Sequence, residues 1–195
     1  MKLWDKNNSV NEKIIEFTVG DDRLNDLYLI KYDVKASISH AKMLYRSNLL
    51  SEIECNKIIN ILNEILSQAE AGELKIEKEF EDMHSKIEYI LTDKLGDIGK
   101  KIHTARSRND QVLVSIQLYL IDELNFIKTE VKSLFDLLIN LAKKNKNIIM
   151  PGYTHMRAAM PSSFGLWFSA YAEILIDDVI SLNSCLLYTS PSPRD

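Results

Sequence analysis

The chain has 195 residues, of which 46% are hydrophobic and 27% charged, and its formal net charge at pH 7 is −4. This composition is typical of a folded globular protein, and the negative charge argues against a general binder of nucleic acids or membrane surfaces. No run approaches the ~18 apolar residues of a membrane span, and the polar start lacks the apolar core of a signal peptide. We therefore expect a soluble, cytoplasmic protein.

Turn-forming residues are scarce, which favours long helices. Proline is absent from the first three quarters of the chain, and its six glycines are widely spaced. Apolar spacing predicts a first helix over about 25–47 and a third over about 81–95. Between them, Ser51 and Glu54 have the spacing of a capping box and predict a second helix that ends before Gly72.

A fourth helix is predicted over about 110–145, where no glycine or proline interrupts the chain. Apolar residues recur there with a mean spacing of 3.5 residues, and we call them the seam: Leu113, Ile116, Leu120, Leu124, Ile127, Val131, Leu134, Leu138 and Leu141. This spacing suits packing against other long helices. At about 1.5 Å per residue the helix would be roughly 50 Å long, so its apolar faces need a bundle built from several chains.

The end of the chain predicts a fifth helix, rich in aromatic residues, over about 163–184. Because no segment shows the two-residue alternation of a strand, the predicted fold class is all-α. From about residue 184 the helical pattern is lost and two prolines follow. This tail resembles translated sequencing-adapter DNA, so we expect 184–195 to be non-native. An ordinary disordered terminus is the alternative.

Two polar clusters interrupt the helical pattern, and the first reads HTARSRNDQ over 103–111. Ser107 and Asp110 have capping-box spacing, which places unpaired backbone N–H groups at the start of the long helix. Beside them, Arg108 and Asn109 could bind a carboxylate or a phosphate. The alternative is a solvated helix cap with exposed arginines.

The second cluster reads PGYTHMR over 151–157, and we interpret it as a loop between two helices. His155 could transfer a proton near neutral pH, while Thr154 orients it or binds substrate. The alternative is an ordinary surface histidine.

The remaining motifs indicate no binding site for a cofactor or a metal. The glycines around 96–100 have the wrong spacing for a phosphate loop and predict a turn at a helix end. His84 and Glu88 lack a third ligand, and Cys55 and Cys185 lie too far apart in sequence for a metal knuckle. No nucleotide, flavin or pyridoxal motif is present, so we expect neither metal nor cofactor.

At the two clusters the sequence resembles argininosuccinate lyase. HTARSRNDQV is similar to the substrate-binding signature of that family, and PGYTHMRAAMPSS to its Thr-His loop. KLWDK, EDMHS and SFGLWFSAYAE extend the resemblance to bacterial forms over about 1–183. It implies the long-helix bundle of the fumarase/aspartase superfamily. It also implies a carbon–nitrogen lyase that splits argininosuccinate into arginine and fumarate, without a cofactor, in arginine biosynthesis.

The resemblance also implies roles for individual residues. On the family pattern Ser107, Arg108 and Asn109 contact the substrate, Thr154 binds it, and His155 transfers the proton. Relatives form homotetramers whose active sites combine segments from three subunits.

Two features depart from the family. The stretch matching its N-terminal substrate-contacting serine has none, and an ungapped placement puts Asp22 there. The family's catalytic serine loop would lie beyond residue 195. We therefore expect an N-terminal part of the enzyme that is truncated and inactive alone, with an N-terminal helical domain over 1–106 and the start of the central bundle over 107–183. The alternatives are a non-catalytic helical scaffold or interaction fragment, and another fumarate-releasing lyase.

Overall fold

A computed structural model describes residues 12–188, and its secondary structure is mainly helical. The KLWDK stretch and residues 189–195 of the tail lie outside the described residues. In chain order the elements are α1 (Glu12–Val19), α2 (Asp22–Arg46), α3 (Glu52–Glu70), α4 (Met83–Leu95), α5 (Asp97–Lys100), a 3-10 turn (Lys101–His103), α6 (Arg108–Asn145), β1 (Ile149–Thr154), β2 (Arg157–Ser163) and α7 (Phe164–Tyr188). Among residues 12–188, none of the helices has the length and apolar character needed to cross a membrane.

The five helices expected from the sequence are α2, α3, α4, α6 and α7, and the all-α fold class is confirmed. Their ends fall within a few residues of the expected ones, except that α7 continues to Tyr188. The loss of apolar periodicity after residue 184 does not end this helix, because no glycine or proline lies between 184 and 188 to break it. The short helix α1, which ends at Gly20 in a left-handed conformation (φ 49°), was not predicted.

The chain divides into two compact units, unit 1 (Met1–Tyr119) and unit 2 (Leu120–Asp195). The core of unit 1 lies among α2, α3 and α4. Its fully buried apolar side chains come from every third or fourth position of these helices and include Val34, Ala41, Leu44, Ile58, Leu62 and Leu91. Burial of each large aliphatic side chain contributes about 1.5–3 kcal/mol, so this core holds unit 1 together.

The capping box of α3 forms as expected. The Glu54 backbone N–H donates to Ser51 Oγ at 3.3 Å, and the Ser51 N–H donates to Glu54 Oε2 at 2.9 Å. Lys101 Nζ donates to the other carboxylate oxygen at 2.5 Å. The hydrogen bond from Lys101, followed by those from Ser51, lowers the pKa of Glu54 from 4.5 to about 2.

We expect the free energy of unfolding to fall less steeply with decreasing pH in Glu54→Gln than in the wild type. A carboxyl group whose pKa is lowered by folding stabilises the protein above its unfolded pKa, and this contribution is lost as pH falls through the folded pKa. The wild-type chain therefore loses more stability between pH 4.5 and about pH 2 than the variant does. Urea unfolding at several pH values, followed by circular dichroism, measures this loss. Glu52→Gln, which removes an exposed carboxylate two residues earlier in the same helix, is the control. Equal slopes for wild type and Glu54→Gln contradict the prediction.

The loop expected between the last two helices is wrong: residues 149–163 of unit 2 form a β-hairpin. Its strands pair antiparallel from Ile149 opposite Ser163 to Thr154 opposite Arg157, with an irregularity between Pro151 and Tyr153. Most of its side chains are exposed. Alternation of apolar and polar residues arises when one face of a strand is buried, and this hairpin buries neither face, so the sequence carried no strand signal.

Candidate functional site

The start of α6 carries the first polar cluster. Ser107 and Asp110 form the expected cap: the Ser107 N–H donates to Asp110 Oδ2 at 2.9 Å, and the Asp110 N–H donates to Ser107 Oγ at 3.3 Å. These hydrogen bonds lower the pKa of Asp110. Just before them, Ala105 adopts a left-handed conformation (φ 57°) and redirects the chain into the helix. Ser107 and Asn109 are exposed.

Arg108 lies against α4 and not free in solvent. Its Nη1 donates to Gln111 Oε1 at 3.3 Å and to Glu88 Oε1 at 3.4 Å, and its Nε lies 3.9 Å from Asp82 Oδ2. The side chain is only 25% exposed, and its Nη2 is buried without a hydrogen-bond partner among the described residues. Arg108 therefore keeps one guanidinium N–H group unpaired beside the helix start.

A buried polar cluster lies next to this segment and was missed by sequence reasoning. It consists of Asp33 and Ser37 on α2, His84 on α4, and Arg106. His84 Nδ1 lies 3.1 Å from Asp33 Oδ1, and Arg106 Nη1 donates to Ser37 Oγ at 2.9 Å. Asp33, Ser37 and His84 are at most 2% exposed. One sequence feature could have indicated the cluster: Asp33 and Ser37 are polar residues four positions apart beside the apolar stripe of α2.

Two histidines join the residues before α6 to the same helices. His40 Nε2 on α2 lies 2.9 Å from the Thr104 carbonyl oxygen, and His103 Nδ1 lies 3.2 Å from Glu88 Oε1 on α4. Partial burial, followed by the positive charge of Arg106, lowers the pKa of His40. Glu88 thus contacts both His103 and Arg108.

The second polar cluster is the tip of the β-hairpin in unit 2. Thr154 pairs with Arg157, so His155 and Met156 form a two-residue turn, and both have left-handed backbones (φ 50° and 63°). That geometry matches a type I′ turn, which normally takes asparagine or glycine. The turn exposes the His155 side chain, and strained residues of this kind cluster at functional sites.

The structure therefore places the predicted site residues in two groups. Ser107, Arg108 and Asn109 lie together in unit 1, and Thr154 and His155 lie together in unit 2. Asp22 begins α2 and is exposed. Among the described residues, no group of three or more His, Cys, Asp or Glu side chains could hold a metal ion.

Comparison with known proteins identifies the family. A family model described as "Lyase" matches residues 14–188, which is most of the chain. The chain belongs to this lyase family. Its curated relatives include the argininosuccinate lyase of Phocaeicola vulgatus, which is 50% identical over 192 residues (98% of this chain, 43% of the relative). The argininosuccinate lyase of Thermotoga neapolitana is 46% identical over 192 residues (98% and 48%). The chain spans less than half the length of these relatives.

Solved structures show the same fold for this lyase-family chain. The fumarate lyase:delta crystallin of Brucella melitensis matches with a TM-score of 0.75 at 17% identity, covering 93% of this chain and 45% of that one. The class II fumarase of Schistosoma mansoni matches with a TM-score of 0.74 at 16% identity, covering 97% and 44%. The expected fold of long helices is therefore confirmed, and the chain shares it with these two proteins.

Proposed function

We propose that this chain is part of an argininosuccinate lyase, which cleaves argininosuccinate to arginine and fumarate by β-elimination. The observation that carries the proposal is 50% identity to an argininosuccinate lyase over 98% of the chain. The two polar clusters support it, since one caps a 38-residue helix and the other forms an exposed hairpin tip. Loops and helix ends on a rigid helical scaffold are common positions for catalytic groups.

Substrate binding is assigned to Ser107, Arg108 and Asn109 at the start of α6. Argininosuccinate carries three carboxylates, and a helix N-terminus with unpaired backbone N–H groups attracts such anions. Ser107 and Asn109 are exposed and can donate hydrogen bonds. The partly exposed guanidinium of Arg108 adds positive charge beside the helix start, which attracts the same carboxylates.

Proton transfer is assigned to His155, with Thr154 as a substrate-binding neighbour. In the reaction a proton leaves the carbon next to a carboxylate and the adjacent carbon–nitrogen bond breaks. The electron pair of the C–H bond becomes the double bond of fumarate, and the departing guanidinium nitrogen takes up a proton. A histidine can perform either transfer, because its ordinary pKa lies near neutrality.

The proposal extends to assembly and location: a homotetramer, acting in the cytoplasm in arginine biosynthesis, without a cofactor. Apolar surface on α6 and α7 supports assembly. A groove of about 320 Å³ between α6 and α7 is lined by Val131, Phe135, Leu175 and Val179. Five of the nine seam residues are exposed: Leu113, Ile116, Leu120, Ile127 and Leu134. Within the family pattern, residues 1–106 form the N-terminal domain and 107–183 begin the central bundle.

Turnover of argininosuccinate by the complete protein tests the proposal. We expect the wild type to release fumarate, followed by its ultraviolet absorbance, and Arg108→Ala to lower kcat/KM by about 10- to 100-fold, the size of one charged hydrogen bond. Arg46→Ala, an exposed arginine at the end of α2, is the matched control. Fumarate release from a different succinylated substrate alone would identify another lyase, and no turnover of either would favour a scaffold.

A further inference from the structure

Unpaired buried polar atoms are concentrated in one part of unit 1. Among the described residues, every buried side-chain nitrogen or oxygen without a hydrogen-bond partner belongs to Asp33, His84, Arg106 or Arg108. Asp33 and His84 approach to 3.1 Å without the alignment of a hydrogen bond. Most buried polar groups in proteins are paired, and a buried ion pair is weak evidence for stability. A contribution to stability alone therefore does not account for the cluster.

Arg106 is the member of this cluster that belongs to the segment before α6. Thr104, Ala105 and Ser107 around it are exposed, so its side chain is the one in 104–107 that reaches the interior. Its guanidinium donates to Ser37 on α2 and faces the carboxylates of three elements: Asp33 on α2, Glu88 on α4 and Asp110 on α6. The Arg106 guanidinium also faces one positive charge, that of Arg108.

Holding this guanidinium in the interior is unfavourable by itself. Desolvation is the largest influence on the pKa of Arg106 and lowers it, while Asp33 and then Glu88 oppose that effect. Its Nε remains buried without a partner among the described residues. The hydrogen bond to Ser37 ties this exposed, irregular segment to α2, one residue before the helix cap.

We propose that Arg106 is a positioning residue for substrate binding. Anchored by its hydrogen bond to Ser37, it fixes the backbone that presents Ser107 and Asn109 to a substrate carboxylate. His40, which also lies on α2, contacts the Thr104 carbonyl and holds the same segment. This inference rests on the function proposed above.

Kinetics of the complete protein test the positioning role. We expect Arg106→Gln to raise KM for argininosuccinate by about 10- to 100-fold, because a small displacement of binding groups has effects of that order. The kcat value changes less, since the proton-transferring group is not displaced. Arg106→Lys, which keeps the charge facing Asp33 and Glu88, recovers part of the loss. Ser37→Ala, which leaves 104–109 unaltered, shifts KM in the same direction, and Arg46→Gln leaves it unchanged.

Hydrogen exchange gives a second measurement that does not require activity. In Arg106→Gln, amides over 104–112 should exchange at least about 10-fold faster, while amides of α3 keep their wild-type rates. A lowered Tm with unchanged KM and unchanged exchange over 104–112 would overturn the inference and make Arg106 purely structural. If the wild type shows no turnover, the proposed function fails, and the exchange comparison still decides the role of Arg106.

Discussion

On the proposed function, we expect replacement of His155 by asparagine to lower kcat for argininosuccinate cleavage by the complete protein by about 10²- to 10⁴-fold, the usual contribution of general acid–base catalysis. We expect KM to change little, because the proposed role of the imidazole is to transfer the reacting proton and not to bind the carboxylates. Asparagine is the appropriate replacement because His155 has a left-handed backbone (φ 50°), which asparagine adopts readily. Alanine would add backbone strain to the loss of the imidazole.

A control variant at the neighbouring turn residue, Met156, distinguishes the loss of the imidazole from a change in the turn itself. Met156 has the same left-handed conformation and is 96% exposed. Met156→Asn therefore changes the turn to a similar extent but leaves His155 in place, and we expect kcat within about threefold of wild type. Steady-state fumarate release at neutral pH measures both variants. A Met156→Asn variant as slow as His155→Asn would assign the effect to the turn, and a wild-type rate in His155→Asn would contradict the catalytic role.

The parts of this fold that could be predicted are those determined by local sequence. The start of α3 follows from Ser51 and Glu54, and the start of α6 from Ser107 and Asp110, because both caps are hydrogen bonds between residues three positions apart. The long helix α6 follows from the absence of glycine and proline over the predicted stretch. Such signals need no knowledge of tertiary packing.

The hairpin and the buried polar cluster could not be predicted, for different reasons. The hairpin is exposed on both faces, so burial left no alternating pattern in 149–163. The buried polar cluster joins Ser37 to Arg106 across 69 positions of sequence. The partner of His84, Asp33, lies on another helix, and the two residues meet only once α2 and α4 pack together.

The surroundings of Arg108 add detail that its sequence position alone does not give. The sequence places an arginine at the helix start, where it could bind a carboxylate. The structure shows that Glu88 and Gln111 already accept hydrogen bonds from its Nη1, which fixes the orientation of the guanidinium and leaves Nη2 unpaired among the described residues. An arginine held in this way loses less side-chain entropy when it binds an anion than a free surface arginine does.

Replacement of Asp33 by asparagine destabilises unit 1 by about 3–5 kcal/mol, as expected when one partner of a buried charged group is removed. Asp33 is fully buried, and its Oδ1 lies 3.1 Å from His84 Nδ1. Its negative charge raises the pKa of Arg106, against the lowering caused by desolvation. Asparagine has nearly the same shape, so the change removes charge and not volume. Hydrogen exchange of amides in α2 and α4 reports the opening free energy of unit 1 separately from unit 2.

Two further variants identify the source of that loss. Asp136→Asn breaks the exposed pair with Lys132 in α6 and should change stability by less than about 1 kcal/mol. The double variant Asp33→Asn with Arg106→Gln removes both charges, so its destabilisation should be smaller than the sum of the two single changes. Strict additivity would show that Asp33 does not compensate the charge of Arg106. A loss below about 1 kcal/mol in Asp33→Asn alone would show that the buried carboxylate carries no charge that the fold depends on.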